Sequence, residues 1–361
     1  MTDETDEKHS GRPAVRVGVV GLGRAGLFQH LPELKRLPGK FRVTAVCDLM
    51  KERRDIVEAD YPDLHMYRRV EDMLDDPDID LVDIVSRSPD HVKHALASLQ
   101  HGHWTLVESP LGMSHDEALV LRAADVKAKG RLLVRQMGAF QPDFLTAMKA
   151  SNDIRLGEIF DIRVRNGMYI RRDDWQSVKR CGGGAAFYAC PDLVYQALAL
   201  LKVPPTQLWS ELKRIASLGD AEDFAHIVLK SRGQATADIT YSGAELPPYM
   251  PSFEIRGERG SFHIMPGERK GILRVVDPSH KFPRRRSSVR TPPLSDMRED
   301  FPVSEFEIEC DAAPECTGPD GFWNAVYATV RTAAPFPVSL DEAIEPIRIL
   351  TLVKKSSPFA K

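Results

Sequence analysis

Residues 14–137 predict a doubly wound α/β unit with a parallel sheet, and residues 138–361 predict an α+β unit on a large, open, mostly antiparallel sheet. Three observations carry this expectation. Up to Met137, short β-branched apolar runs alternate with helical stretches of about ten to fifteen residues. After Met137, strand-like runs follow one another with few helices between them. The length of 361 residues also suits two domains at roughly 150 residues each.

Taken in order, Val15 to Val20 reads as a strand buried on both faces, and it runs into Gly21-Leu22-Gly23-Arg24-Ala25-Gly26 and a helix to about Arg36. Phe41 to Cys47 is a second strand ending at Asp48, followed by a helix over Lys51 to Asp60. Tyr67 to Leu74 is a connection with a short helix, and Asp80 to Val85 is a strand. A helix over His91 to His101 is closed by Gly102, and Trp104 to Val107 leads into Glu108-Ser109-Pro110. Ser114-His115-Asp116-Glu117 has the form of a capping box opening a helix that ends near Gly130, and Arg131 to Met137 is one more strand. In the second half, Ile159–Asn166, Gln207–Ile215, Phe224–Lys230, Ala235–Tyr241, Phe253–Gly257, Ser261–Met265 and Gly271–Val276 read as strands. Phe322–Thr332 and Leu340–Lys354 close the chain as helices, the second expected to kink at Pro346.

Composition narrows the function classes. The 49 Lys and Arg against 52 Asp and Glu give a net charge of −3, which excludes a nucleic-acid-binding polycation. Five cysteines without a CxxC pair argue against a disulfide scaffold or a structural metal site and suit a reducing cytoplasm. No apolar run is read as approaching the ~18 residues of a membrane helix. Residues 1–13 are polar and acidic and read as a disordered lead-in. Arg284-Arg285-Arg286 reads as a solvated loop, and His91 and His94 lack the acidic partners of a metal site.

Gly21-x-Gly23-x-x-Gly26 follows a strand, opens a helix and is succeeded by Asp48 at the end of the next strand, which is the context of a dinucleotide fingerprint. Gly21 permits the tight turn, Gly23 lets the backbone approach a pyrophosphate, and Gly26 lets the helix lie close to the sheet. Free N–H groups at the helix start then face the phosphates. Asp48 accepts from ribose hydroxyls and repels a 2′-phosphate, which favours NAD over NADP, while Lys51, Arg53 and Arg54 nearby weaken that preference.

With these pieces the chain resembles the Gfo/Idh/MocA family (glucose–fructose oxidoreductase, inositol dehydrogenase and relatives) from about Val15 to Lys355. Ser86-Arg87-Ser88-Pro89-Asp90-His91 stands where the family has a Thr-Pro-Asn-x-x-His stretch against the cofactor. Trp104 to Pro110 matches its Val-x-x-Glu-Lys-Pro strand end, and Trp175 with Gly182-Gly183-Gly184 matches its Trp-Arg and triple-glycine segment. Glu222-Asp223, Arg256 to Ser261 and Phe322 to Ala325 match its sheet and closing helix. The resemblance implies a Rossmann domain and a substrate domain, NAD(P)-linked oxidation of a sugar, cyclitol or related polyol, and pairing of subunits into a homodimer or homotetramer. It implies cofactor contacts from Ser86, Arg87, His91, Glu108 and Ser109 besides the glycine loop, and places Trp175, Tyr188, Asp192 and Tyr195 toward substrate.

The departures fall on the chemistry. The family lysine after Glu108 is Ser109, its Asp and catalytic His are Tyr188 and Asp192, and its next Asp is Tyr195. Its Arg-Arg-Phe is Gly138-Ala139-Phe140, and its Pro before Ser88 is Arg87. Ser109 offers a hydrogen bond but no charge. Asp192 can serve as general base if burial raises its pKa, with Tyr188 orienting it from the same helical face. The plain alternative is that Asp192 caps a helix after Pro191 while the tyrosines pack. Two further functions share the fold: a catalytically silent NAD-binding sensor, and an NAD-assisted glycosidase or epimerase. Cys181 and Cys190 read as small fillers.

Overall fold

Five of the six residues of Val15–Val20 (β1) are buried, as expected of a central strand covered on both faces. The structure, a computed structural model, describes residues 13–360 apart from 62, 232–234, 278, 285–288 and 290–299. The expected lead-in and Arg285-Arg286 therefore lie almost wholly outside the described residues. Phe41–Cys47 (β2), His65–Tyr67 (β3), Leu81–Ile84 (β4), Trp104–Glu108 (β5) and Leu132–Arg135 (β6) join β1 in one parallel sheet, ordered β3-β2-β1-β4-β5-β6. The order reverses between β1 and β4, and that switch point is where such sheets open a crevice at the strands' carboxyl ends. The three-residue β3 was not expected, being too short to show a period.

The helix after β1 contains one π turn, Gly26–His30, in which the Leu31 N–H reaches back to the Gly26 carbonyl, before closing as Leu31–Lys35 (α1). His30 and Glu33 are both buried. Lys51–Asp60 (α2), Val70–Leu74 (α3), His91–Gln100 (α4) and His115–Lys127 (α5) complete the first unit. Ser114 caps α5 by accepting from the Glu117 N–H, but Glu117 reaches back to the Met113 N–H, so the expected capping box is displaced by one residue.

Pro142–Ala150 (α6), absent from the sequence expectation, leads into the second unit. Its eight-stranded sheet is ordered β14-β13-β12-β11-β7-β10-β9-β8 and is antiparallel except for the β7–β10 pair. The strands are Ile159–Gly167 (β7), Gln207–Lys213 (β8), Phe224–Lys230 (β9), Thr236–Ser242 (β10), Phe253–Gly257 (β11), Gly260–Ile264 (β12), Lys270–Val276 (β13) and Val303–Glu309 (β14, not expected). Ala185–Tyr188 (α7) and Cys190–Leu201 (α8) follow the triple glycine, and α6 and α8 cover one sheet face. Residues 179–201 are long and apolar enough by composition to cross a bilayer, contrary to the sequence reading, but 67% of the apolar window is buried within the protein, as in a core helix. Gly318–Thr332 (α9) and Leu340–Lys355 (α10) return to the first unit, and α10 runs unbroken through Pro346, so the one N–H that proline removes does not end it.

Candidate functional site

The glycine loop is shaped by backbone contact. Gly21 holds φ +103°, and a Cβ there would lie 2.7 Å from the Ser86 nitrogen and the Val85 carbonyl oxygen. A Cβ on Gly26 would lie 2.2 Å from the Gly21 carbonyl oxygen. At Gly23 nothing comes within 4 Å of that position, which leaves open space where the backbone has to meet a pyrophosphate. These residues fit a dinucleotide.

Asp48 is 9% exposed, and its carboxylate is engaged by the protein itself: it accepts from the Leu22 N–H and the Met50 N–H, both at 2.8 Å, with the Arg53 guanidinium at 3.4 Å. Asp48 therefore fixes the glycine loop as well as standing at the ribose position. Arg24, the exposed residue of the loop, pairs with Asp174 at 3.1 Å. Asp174 also caps the short turn Trp175–Ser177, so the second unit grips the glycine loop from above.

Across the crevice, His91 is buried with Nδ1 at 2.8 Å from the Pro110 carbonyl oxygen and Nε2 at 2.9 Å from that of Ser86. It ties the ends of β4 and β5 together. Arg87 is exposed beside Asp90. Gly182 holds φ +79°, and a Cβ there would lie 2.6 Å from the Pro89 ring, so the triple glycine rests directly on this loop. A Cβ on Gly184 would strike the Glu222 carboxylate, itself buried and paired with Lys354.

Glu108 ends β5. It accepts from His30 Nε2 at 2.7 Å and lies 3.1 Å from Arg135 Nε, its neighbour across the β5–β6 ladder. Burial opposes ionisation of Glu108, but the His30 hydrogen bond and the Arg135 charge outweigh it and hold the pKa below the usual range. Ser109 follows, its N–H donating to the Glu108 carboxylate at 3.0 Å.

Asp192 is largely enclosed. Its carboxylate accepts from the Gln136 side chain and from the Gly138 N–H, and a Cβ on Gly138 would lie 2.9 Å from the Asp192 Cβ. Burial, opposed by the Gly138 and Gln136 hydrogen bonds and reinforced by the Glu108 charge, pushes the Asp192 pKa up to about 6. Two sequence expectations need correction here. Asp192 is not a cap, because Ala189 holds the cap position of α8 and Asp192 lies within the first turn. Nor do Tyr188 and Asp192 share a helical face. The chain breaks at Ala189 (φ −126°), so Tyr188 ends α7 and packs under the Arg172 guanidinium at 4.6 Å and against Tyr241 at 5.8 Å. Its buried hydroxyl faces that of Tyr241, with which it shares a hydrogen bond. Tyr195 packs on Phe144, and burial pushes its pKa up to about 12. Trp175 lies half-buried in its turn.

A cavity of about 340 Å³ opens one turn further along α8, lined among others by Gln141, Asp143, Arg165, Gln196, Glu245 and Tyr249. None of Trp175, Tyr188, Asp192 or Tyr195 lines it. Sequence reasoning missed Gln196, Gln136, His30, Glu33 and Arg135. The signal for His30 and Glu33 was present: two polar residues three apart on the apolar face of the first helix.

Comparison with known proteins settles the family. The sequence model of an oxidoreductase family with an NAD-binding Rossmann fold matches residues 15–136, and that of the GFO/IDH/MocA C-terminal domain matches residues 144–263. The chain belongs to the Gfo/Idh/MocA family. It is 25% identical over 356 residues to scyllo-inositol 2-dehydrogenase (NADP(+)) IolW of Bacillus subtilis, covering 95% of this chain and 94% of that protein. Its fold matches an NAD-binding protein from Listeria innocua with a TM-score of 0.78 at 18% identity, over 97% of this chain and 99% of that one. It also matches the WlbA dehydrogenase from Chromobacterium violaceum, solved with NADH and UDP-GlcNAcA, with a TM-score of 0.74 at 17% identity, over 96% and 94% of the two chains. This family member thus has an NAD(P)-binding Rossmann domain joined to a second, mostly antiparallel sheet.

Proposed function

We propose that the protein is an NAD(P)-dependent oxidoreductase acting on the CH–OH group of a sugar, cyclitol or related polyol, with Asp192 as general base. The observation that carries this is the enclosed Asp192 carboxylate, held by Gln136 and Gly138 beside the carboxyl ends of β5 and β6. Its pKa near 6 gives a group that is ionised at neutral pH yet basic enough to accept a proton. Gly21 to Gly26 with Asp48 would hold the dinucleotide, and Ser86, Arg87, His91, Glu108 and Ser109 border its far end. The bound cofactor supplies the hydride acceptor. Asp192 takes the hydroxyl proton, and Ser109 offers a hydrogen bond in place of a fixed charge. The neighbouring cavity suits a polyhydroxyl ligand, because Gln141, Asp143, Gln196 and Glu245 in its wall carry groups that hydrogen-bond hydroxyls. Tyr188 keeps a place as a proton donor, acting from α7 independently of Asp192.

The test is turnover on a panel of polyols and sugars that includes scyllo-inositol. Asp192→Asn is expected to lower kcat by ~10²-fold or more, the usual size of a general-base contribution, with cofactor affinity unchanged. Full activity in that variant overturns the base assignment. The internal pairing of Glu108 and Arg135, which leaves no charged side chain to replace the family lysine at Ser109, supports the alternative of a silent NAD-binding sensor. Tight cofactor binding without turnover on the whole panel would select it.

Assembly belongs to the same reading. The sheet face away from α6 and α8 carries half-buried ion pairs among Asp161, Arg163, Arg165, Glu254 and Arg256, with Phe160 and Trp209 more than half exposed. A homodimer or dimer of dimers through this face is expected, and a monomer by light scattering at micromolar concentration would exclude it. A cytoplasmic location goes with the reduced cysteines.

A further inference from the structure

We infer that Gln196 is a specificity-determining residue: together with Gln141 it binds a second hydroxyl of the substrate, one turn of α8 away from the CH–OH group that reacts at Asp192. This deepens the polyol reading above, and rests on it for which end of the ligand reacts.

The orientation of one amide carries the inference. Gln196 is 1% exposed, and its Nε2 donates to the Gly138 carbonyl oxygen at 3.0 Å and to Gln141 Oε1 at 2.9 Å. A backbone carbonyl can only accept, so the Gln196 amide cannot be turned the other way. Its Oε1 is thereby fixed as an acceptor, and among the described residues no group donates to it. A buried acceptor left without a donor costs free energy until something supplies one. Gln196 and Gln141 both line the cavity of about 340 Å³. With Gln141 Oε1 taken by Gln196, the Gln141 amide has its NH2 left to donate. Two adjoining amides in one wall thus present an acceptor and a donor. A hydroxyl both donates and accepts, whereas an ammonium only donates, a carbonyl or carboxylate only accepts, and a methylene does neither.

The other polar side chains of the wall are engaged or one-sided. The Asp143 carboxylate accepts from the Phe144 N–H at 3.0 Å, the Ser252 hydroxyl at 2.9 Å and the Gly267 N–H at 3.1 Å. Arg165 is bonded to Glu254, and Glu245 can only accept. The helix sets the register to the reaction. Asp192 and Gln196 are four apart on α8 and share a face. Both also pack on Gly138, Gln196 at its carbonyl oxygen and Asp192 where a Cβ would lie 2.9 Å from its own. A ring whose CH–OH group meets Asp192 therefore extends a further hydroxyl toward Gln196.

The experiment measures, by calorimetry, binding of scyllo-inositol and of D-glucose to the full-length protein saturated with NADH. Gln196→Leu is expected to weaken the tighter of the two probes roughly ten- to hundredfold, the cost of a buried hydroxyl left unpaired, with NADH affinity unchanged. Gln141→Leu leaves the bond from Gln196 to Gly138 in place and should weaken the same probe roughly three- to tenfold. Loss in Gln196→Leu alone would mark that residue as a support for Gly138 and overturn the inference. Unchanged binding in Gln196→Leu, or a wild type that binds neither probe, overturns it as well. Should Gln196→Leu not fold, Gln141→Leu decides alone: selective loss of the probe supports the inference, and unchanged binding overturns it. Binding to the NADH complex needs no proton transfer, so it reads the hydroxyl site separately from the turnover of Asp192→Asn that decides the base.

Discussion

At the pyrophosphate end of the crevice Gly21, Gly23 and Gly26 work through side chains they lack. At the other end Glu108, Ser109 and Asp192 work through what their side chains carry. The first region is specified by backbone geometry, resting on the three glycines and on the Asp48 carboxylate that fixes their loop. The second is specified by charge and proton affinity, which can be rebuilt from other residue types provided the neighbours change too. Gly138 shows this directly, since Asp192 fits only where residue 138 has no Cβ. Drift in catalytic residues on a constant cofactor cradle is therefore the expected pattern when two halves of one site rest on different physics.

The largest effect should come from adding one methyl group at each end. Gly26→Ala places a carbon 2.2 Å from the Gly21 carbonyl oxygen and is expected to abolish cofactor binding, with a stability cost of about 1–3 kcal/mol. Gly138→Ala displaces Asp192 instead, and should cut turnover about as much as Asp192→Asn, ~10²-fold, while cofactor affinity measured by nicotinamide fluorescence stays put. If both variants lost binding, the two regions would not be separable.

The next effect is in pH. Asp192 has a folded pKa of about 6, above its unfolded value, so between those two pKa values only the folded state holds the proton. Stability falls as pH rises through 6, and Asp192→Asn should be the more stable protein at pH 8 by about 2–3 kcal/mol, with no advantage below about pH 4. His30 gives a second window. Burial works against its charge, but the Asp83 charge and the hydrogen bonds to Asp83 and Glu108 raise its pKa to about 9. Its contribution is fully present below the unfolded value near 6.5, and roughly 3 kcal/mol is lost as pH rises through 9. Thermal melts of the wild type, Asp192→Asn and His30→Gln across that range check the signs.

The smallest effect concerns the ribose. NAD(H) should bind more tightly than NADP(H), because the Asp48 carboxylate stands at the end of β2. Arg53 partly neutralises it, so Arg53→Ala should widen the preference about fivefold, the scale of an exposed ion pair. Equal binding of the two cofactors by the wild type would show that Asp48 is spent on the Leu22 and Met50 N–H groups.

Much of this was legible in the sequence, unevenly. β1, β2, α2, β9 and β11 run where apolar period and turn residues put them, because local pattern and burial agree there. β3 is too short to show a period, whereas β14 alternates strictly over Glu305-Phe306-Glu307-Ile308-Glu309, a strand signal that the sequence reading passed over. The glycine loop and Asp48 could be read because their chemistry is local. The Asp192 environment could not. Gln136, Gly138 and Glu108 reach it from 54 to 84 residues away, and the break at Ala189 that separates Tyr188 from it has no glycine or proline at that position to announce it.

The return of α9 has a consequence for how the protein is made. Trp323 and Tyr327 stack edge-on against Phe41, Trp323 donates to Glu33, and Arg331 binds the Pro13 and Ala14 carbonyls and Asp80. The strand and helix over residues 15–35 are thus finished by a helix some 290 residues further along the chain. Until the second sheet has been translated, roughly 10–40 s after Met137 at about 5–20 residues per second, the nascent cradle carries an uncovered Phe41 and a half-assembled layer of buried charges. The amino-terminal unit therefore exposes this layer during synthesis, and a fragment ending at residue 137 would keep it exposed.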